Sequence, residues 1–257
     1  MVGYYPKTLK EALKFRQELE SSLIISGGTD AMVVKKTAPH VIFINDIEEL
    51  KKITFDDNKI VIGAAANYKD LIADRNIPEI LKKAMRQIAS PGIRNAGTVG
   101  GNICNASPAG DTLPVLYALS AIIIKAKLKG DEVLEIRMPI EEFILGIRKI
   151  ALEADEMVIG IEIPKSSYEF MTKIVFEKAG ARAADAISKL SFTGLMKVSN
   201  DRIEDIRIAF GSVSVTTIRR TEIENEIIGT TIEELEEMTE KILNSYNESI
   251  RPIDDQR

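Results

Sequence analysis

Between Gly97 and Asp111 the chain reads G-T-V-G-G-N-I-C-N-A-S-P-A-G-D, a run of glycines, hydroxyls, amides and one carboxylate. Such a composition suits a polar ligand held against backbone N–H groups. Glycine lets backbone approach a ligand closely, because no Cβ intervenes and positive φ costs it little. Successive N–H groups in such a turn form a concavity that attracts an anion, and a following helix N-terminus adds to the field. The first chemistry implied is a phosphate cradle. Upstream, Ile24-Ile25-Ser26-Gly27-Gly28-Thr29-Asp30-Ala31 repeats the theme: an apolar strand enters a Gly-Gly turn, with Thr29 and Asp30 placed to cap a helix. Two such loops could grip both sides of one diphosphate. Neither holds G-x-G-x-x-G or a Walker lysine, so each lacks the spacing that defines the Rossmann and P-loop cradles.

Other chemistries find few residues to use. Cys104 is the single cysteine and His40 the single histidine, which excludes an internal disulfide, a Cys/His zinc site and a cysteine-ligated cluster within these residues. A nucleophilic triad would have to use His40, which follows Pro39 at an expected loop edge on the surface. The carboxylate pairs Glu48-Glu49 and Glu233-Glu234 fall at helix starts, where they favour the dipole. No residue is assigned a catalytic role, and no metal site is expected.

The elements that must position the glycine loops follow from periodicity. Thr8 and Glu11 have capping-box spacing before the apolar face of Leu9, Ala12, Leu13 and Leu19. Leu23–Ile25 and Val41–Ile44 read as buried strands flanking a short helix from Ala31 to Lys35, a βαβ-like opening. Lys59 to Ala64 is a strand, Tyr68 to Ala73 a helix, and Pro78 to Ala89 a helix ended by Ser90-Pro91-Gly92. Leu113 to Leu119 is a buried helix leaving the second loop. Ile122–Leu128 and Val133–Met138 form a hairpin around Lys129-Gly130-Asp131. Glu156 to Ile163 is a strand stopped by Pro164, and Lys165-Ser166-Ser167 marks a domain boundary. Beyond it come strands at Lys173–Lys178, Leu190–Val198 and Ile203–Phe210, then a helix capped by Thr231 and Glu234 that runs to about Tyr246. Strands grouped before helices give an α+β class.

With 257 residues, 45% of them hydrophobic, the chain can bury one large core or two modest ones. Its 34 basic and 39 acidic residues, net −5, offer no basic stripe for nucleic acid. No apolar run is long enough for a membrane span, and Met1 to Lys14 lacks a signal-peptide pattern, so a cytoplasmic protein is expected. Abundant Ile, Lys and Glu without Trp lean toward a thermophilic source.

The two loops, S-G-G-T-D and Ile93-Arg94-Asn95-Ala96-Gly97-Thr98-Val99-Gly100-Gly101-Asn102-Ile103, in this order and spacing, resemble the FAD-binding medium subunit of the molybdenum hydroxylases. That family includes xanthine, carbon monoxide, nicotinate and aldehyde dehydrogenases, and the likeness covers nearly the whole chain from Pro6. It implies an FAD-binding domain of the vanillyl-alcohol-oxidase (PCMH-like) type over residues 1–166, with subdomains of about 1–55 and 56–166. A smaller α+β domain over 167–257, like the CO dehydrogenase flavoprotein C-terminal domain, would cap the isoalloxazine. Relatives continue past Asp254-Asp255-Gln256-Arg257 into a tyrosine-containing helix, so a short subunit or a truncated one is expected.

By this resemblance Ile24, Ile25, Ser26, Gly27, Gly28, Thr29, Asp30 and Ala31 wrap the FAD diphosphate, with Thr98, Val99, Gly100, Gly101 and Asn102 on its other side. Cys104 lies beside the cofactor without redox chemistry. Asn105 stands where some relatives have Thr, and keeps a polar group near the flavin. Asp111 accepts hydrogen bonds from sugar or ribityl hydroxyls, its bland alternative being a helix cap before Leu113. Met157 and Val158 meet the flavin ring, or else are core. Lys178, four residues before Arg182, places a cation by the isoalloxazine that favours the anionic reduced form; on its own it reads as a solvated strand lysine. Arg182 orders its turn or contacts a partner.

The family further implies non-covalent FAD reduced from [2Fe–2S] clusters on a small subunit, which take electrons from a molybdopterin-cofactor large subunit. Electrons then pass to an external acceptor: NAD, a quinone, ferredoxin or oxygen. Relatives that reduce 4-hydroxybenzoyl-CoA carry an extra cysteine-bound cluster in this subunit, which a chain with Cys104 alone cannot hold. The rival reading is a non-enzymatic assembly or nucleotide-binding module that keeps the fold without functional flavin.

Overall fold

A computed structural model describes residues 1–182 and 185–253. In chain order, β1 (Val2–Tyr4), α1 (Leu9–Glu18), β2 (Ser22–Ile25), α2 (Thr29–Val33) and β3 (His40–Phe43) come first. Then follow β4 (Ile53–Phe55), β5 (Lys59–Gly63), α3 (Tyr68–Ala73), α4 (Glu79–Arg86), α5 (Pro91–Ala96), α6 (Val99–Asn105) and α7 (Thr112–Ala118). The middle of the chain holds β6 (Ile122–Lys129), β7 (Glu132–Pro139), α8 (Ile140–Phe143), β8 (Ile144–Gly146), β9 (Lys149–Ile150) and β10 (Met157–Pro164). Last are β11 (Lys173–Gly180), β12 (Ser188–Ser199), β13 (Arg202–Gly211), β14 (Ile218–Arg219), α9 (Thr221–Ile227) and α10 (Ile232–Asn247). The mixed α+β class expected from the sequence is what forms.

The chain gathers into two compact units. The first comprises Met1–Ile77, Ser90–Ala106 and Ala121–Ile163. It holds a parallel sheet ordered β1-β3-β2 and an antiparallel sheet ordered β4-β5-β10-β6-β7. Its core joins α1 (Ala12, Leu13) and β3 (Ile42) to Ile47, Leu50, Ala126 and Met157. The β6–β7 hairpin turns at Gly130, whose φ of 62° needs glycine, with Lys129 paired to Glu132.

The second unit comprises Pro78–Ala89, Ser107–Ser120 and Pro164–Arg257. Its antiparallel sheet runs β11-β12-β13-β14. Apolar residues of α9 and α10, with Ile203, Ile206 and Ile218, form its core, and Tyr246 sets its ring edge-on to Phe210. α4 and α7 lie within residues 1–166 but group with this unit: α7 packs on β12, β13 and β14, and α4 on β11.

Several local expectations change. Thr29 and Asp30 do not cap α2; Gly28 does, in a left-handed conformation with no side-chain cap bond. Ser90 does not simply end α4, because its hydroxyl accepts from Ile93 N and starts α5. The second glycine segment is helix α6 instead of loop, since Thr98 supplies a cap that the glycines then follow. The α1 box closes differently: Thr8 Oγ1 accepts from Glu11 N, but the Glu11 carboxylate takes Lys7 N. β2 is half-buried along its length rather than buried, and His40 is not at a loop edge but in β3, hydrogen-bonded to Tyr4. β1, β4, β14 and α9 are too short or too polar to have been read from periodicity. The terminal residues 254–257 lie outside those described.

Candidate functional site: two glycine segments and a buried ion pair

β2 delivers Ser26-Gly27-Gly28 to the start of α2, and Gly28 turns the chain at φ 69°. Among the described residues, no acceptor takes the backbone N–H of Gly27, Gly28, Thr29, Asp30 or Ala31. Unpaired donors in succession around a left-handed residue form an anion-binding concavity, and leaving them unmet in a half-buried segment is costly. Beside them, Ser26 Oγ is buried with no hydrogen-bond partner. This segment therefore has donors to give.

The second segment has spent its donors. Val99 N reaches Ala66 O at 3.1 Å, Gly100 N reaches Ala64 O at 3.0 Å, and Asn102 N reaches Thr98 O at 3.0 Å. Gly101 N takes Thr98 Oγ1 at 3.2 Å. Its glycines serve close packing. A Cβ on Gly100 would lie 2.6 Å from Ala64 Cβ, and one on Gly27 would lie 1.8 Å from Ala96 O and 3.2 Å from Gly97 Cα. The two segments thus meet backbone to backbone at Gly27. At Gly101 a Cβ would meet a single side-chain atom, its own cap oxygen Thr98 Oγ1, at 3.0 Å. Farther along α6, Asn105 Oδ1 is buried without a partner. Burial pushes the Cys104 thiol up to about 12, against a smaller opposing pull from Lys36, which disfavours the reactive thiolate.

Met157 and Val158 open β10 in the same unit, and both are buried. The Met157 side chain belongs to the core cluster around Leu13 and Leu50. Sequence reasoning missed what holds this strand end. Lys125 Nζ meets Glu156 Oε2 at 2.7 Å with both side chains under one-tenth exposed, and Glu156 also accepts from Glu153 N at 2.9 Å. Arg16 ties the Glu156 carbonyl to Ser22, joining the starts of β10 and β2. A lysine inside the apolar run Ile122–Leu128 was the available signal.

Asp111 and Lys178 fall in the second unit, and the structure brings them together. Lys178 Nζ lies 2.7 Å from Asp111 Oδ2 and 3.0 Å from Gln87 O, while Ser188 Oγ donates to Asp111 Oδ1 at 2.5 Å. Neither bland alternative holds. The lysine is 7% exposed and not solvated, and Asp111, although it starts α7, makes no cap bond. Burial raises the Asp111 pKa, with Lys178 and Ser188 pulling it back only in part. Arg182 Nε donates to the Asp185 carbonyl at 3.0 Å.

Residues 2–166 match the family described as the FAD binding domain in molybdopterin dehydrogenase, and residues 175–257 match the CO dehydrogenase flavoprotein C-terminal domain. The chain belongs to the FAD-binding medium subunits of the molybdenum hydroxylases. It is 28% identical to the glyceraldehyde dehydrogenase medium chain of Sulfolobus acidocaldarius, over 98% of this chain and 88% of that protein. It is 31% identical to the xanthine dehydrogenase FAD-binding subunit of Escherichia coli O157:H7, over 82% of this chain and 74% of the other. A carbon monoxide dehydrogenase structure from Hydrogenophaga pseudoflava superimposes with a TM-score of 0.89 at 25% identity, covering 98% of this chain and 88% of that one. This medium subunit is therefore part of an oxidoreductase, and FAD is its cofactor. The residues present fit that group: unpaired N–H donors at Gly27–Ala31 suit a diphosphate, and the orphaned Ser26 and Asn105 oxygens suit its polar atoms. No helix among the described residues is long and apolar enough to cross a membrane.

Proposed function

We propose that this medium subunit carries electrons from [2Fe–2S] clusters of a partner subunit, fed by a molybdopterin-cofactor subunit, to an external acceptor, with the assembly in the cytoplasm. FAD, when bound, would supply the redox chemistry that links the clusters to the acceptor. The chain's own residues hold and orient it. N–H groups of Gly27 to Ala31 receive the diphosphate, and Ser26, continuing from Ile24 and Ile25, adds a hydroxyl. Ala96 and Gly97 abut this turn, and Thr98, Val99 and Gly100 fix the helix start that follows them against Ala64 and Ala66, leaving Gly101, Asn102 and Asn105 to contact the cofactor, with Cys104 as filler between them. Met157 and Val158 offer backbone at the strand end fixed by Lys125 and Glu156. In the second unit, Asp111 keeps lone pairs for sugar or ribityl hydroxyls while Lys178 and Ser188 hold it. In family terms, residues 1–166 are the FAD-binding domain and 167–257 the domain that caps the ring.

The observation that carries this reading is the row of unpaired N–H donors at the Gly27–Gly28 turn, in a chain of this family. Acid precipitation of the purified protein tests it: FAD should appear in the supernatant, since His40 pairs with Tyr4 and burial disfavours the Cys104 thiolate. Colour retained in the pellet, or FMN in its place, would refute non-covalent FAD. Electron transfer is tested on the native complex. After FAD removal, substrate should still bleach the clusters while acceptor reduction stops. Acceptor reduction at the original rate would overturn the route, and a colourless protein of full activity in assembly would favour the rival module.

A further inference from the structure

Asp30 contributes one of the unpaired N–H groups at the Gly27–Ala31 turn, so its carboxylate is within a few bonds of where the FAD diphosphate is to sit. Two like charges there would oppose binding. Asp30 Oδ2 itself is buried and accepts no hydrogen bond, while the side chain as a whole is 40% exposed. What faces it is Arg148, whose Nη1 lies 3.7 Å away, close enough for an ion pair and too far for a hydrogen bond.

The fold goes to some trouble to put this arginine there. Arg148 lies between β8 and β9 at φ 54°, a conformation that a residue with a Cβ seldom adopts. Its N–H donates to Ala106 O at 3.1 Å, the cap residue of α6, which is itself left-handed at φ 44°. The hairpin tip is thus pinned to one end of α6, and the segment leading into α6 abuts Gly27 at the other. Together these contacts deliver the guanidinium to the cradle. With its side chain 45% exposed, Arg148 keeps donors open to solvent after pairing.

We infer that Arg148 is a positioning residue for FAD: it neutralises the Asp30 carboxylate beside the cradle, so that the donors of Gly27–Ala31 act on the diphosphate without a competing negative charge. This rests on the reading that the Gly27–Ala31 turn binds the FAD diphosphate.

The test is FAD titrated into the flavin-stripped full chain, followed by flavin fluorescence at low and high salt. Arg148→Gln should weaken FAD binding several-fold at low salt, and the loss should shrink at high salt because the pair is partly exposed. Arg148→Lys should recover most of the affinity. Asp30→Asn should bind FAD at least as tightly as the native chain, and Asp30→Asn/Arg148→Gln should match Asp30→Asn alone, because nothing then needs neutralising. The inference is overturned by an Arg148→Gln chain that binds like the native one, by a lysine variant no better than the glutamine, or by a double variant as weak as Arg148→Gln. Failure of the native chain itself to take up FAD would instead refute the reading on which it rests, and this inference with it.

Discussion

Glycines of one motif have unlike roles once their neighbours are known. Gly27 sits where any Cβ would enter the Ala96 carbonyl, and Gly28 where φ is positive, so valine at either position disturbs the backbone before any ligand is considered. Gly101 is less confined: a Cβ there would meet only Thr98 Oγ1, at 3.0 Å, and would press on that cap. Gly101→Val should therefore keep native circular dichroism and lose about 1 kcal/mol of stability at most, as the Thr98 cap yields, while losing bound flavin, whereas Gly27→Val should lose both fold and flavin; full flavin in Gly101→Val would remove this glycine from the site. Lys178 is the other residue whose test changes. Because Asp111 is its partner at 2.7 Å in a buried setting, Lys178→Met strands a carboxylate and should cost about 3–5 kcal/mol in urea denaturation of the flavin-free chain. Adding Asp111→Asn should return most of it. The pH dependence follows from the raised Asp111 pKa. An acid held above its ordinary value in the fold binds its proton more tightly folded than unfolded, so stability falls as pH rises from the ordinary carboxylate range through the raised value. Without Lys178 that value rises further, so the melting gap between variant and native chain should widen from acid to neutral pH. A gap that stays constant would mean that Asp111 remains protonated or is relieved by water.

At the scale of elements, α6 is short and glycine-rich, and two features hold it. Thr98 Oγ1 caps Gly101 N, and Gly100 lets the helix lie against the Ala64 backbone. Thr98→Ala should cost about 1 kcal/mol by thermal melting, and Thr98→Ser should restore it, since serine keeps the accepting oxygen. Gly100→Ala should be more damaging than its small size suggests, because three Ala64 atoms lie within 3 Å of the new carbon. A Gly100→Ala chain that melts with the native one would show that α6 can shift freely, and would undercut the view that its start is fixed against Ala64.

For the whole molecule, the family boundary near residue 166 and the packing of the chain do not coincide. α7 is buried throughout; of its partners α4 lies before that boundary, but β12, β13 and β14 lie beyond it. Leu113, Val115 and Leu116 each gain about 1.5–3 kcal/mol from burial there. Residues 1–166 expressed alone should therefore expose α7, bind a hydrophobic dye and self-associate. A monomeric fragment with a cooperative melt and no dye binding would show that α7 finds another cover.

Local sequence determined much about this protein. Alternating apolar residues and a Gly-Asp turn specified the β6–β7 hairpin, Thr231 and Glu234 specified both bonds of the α10 capping box, and the paired glycine segments marked the family. Each of these signals is complete within a few residues, because turn conformation, capping and side-chain period are short-range properties. The tertiary structure alone decided which N–H groups remain free, since Ala64 and Ala66 consume those of α6 from another part of the chain. It also decided that Lys178 meets Asp111 across 67 positions and that Arg148 reaches Asp30. A charge carries no mark of its eventual partner in its own neighbourhood; burial and packing choose that partner only when distant segments close together.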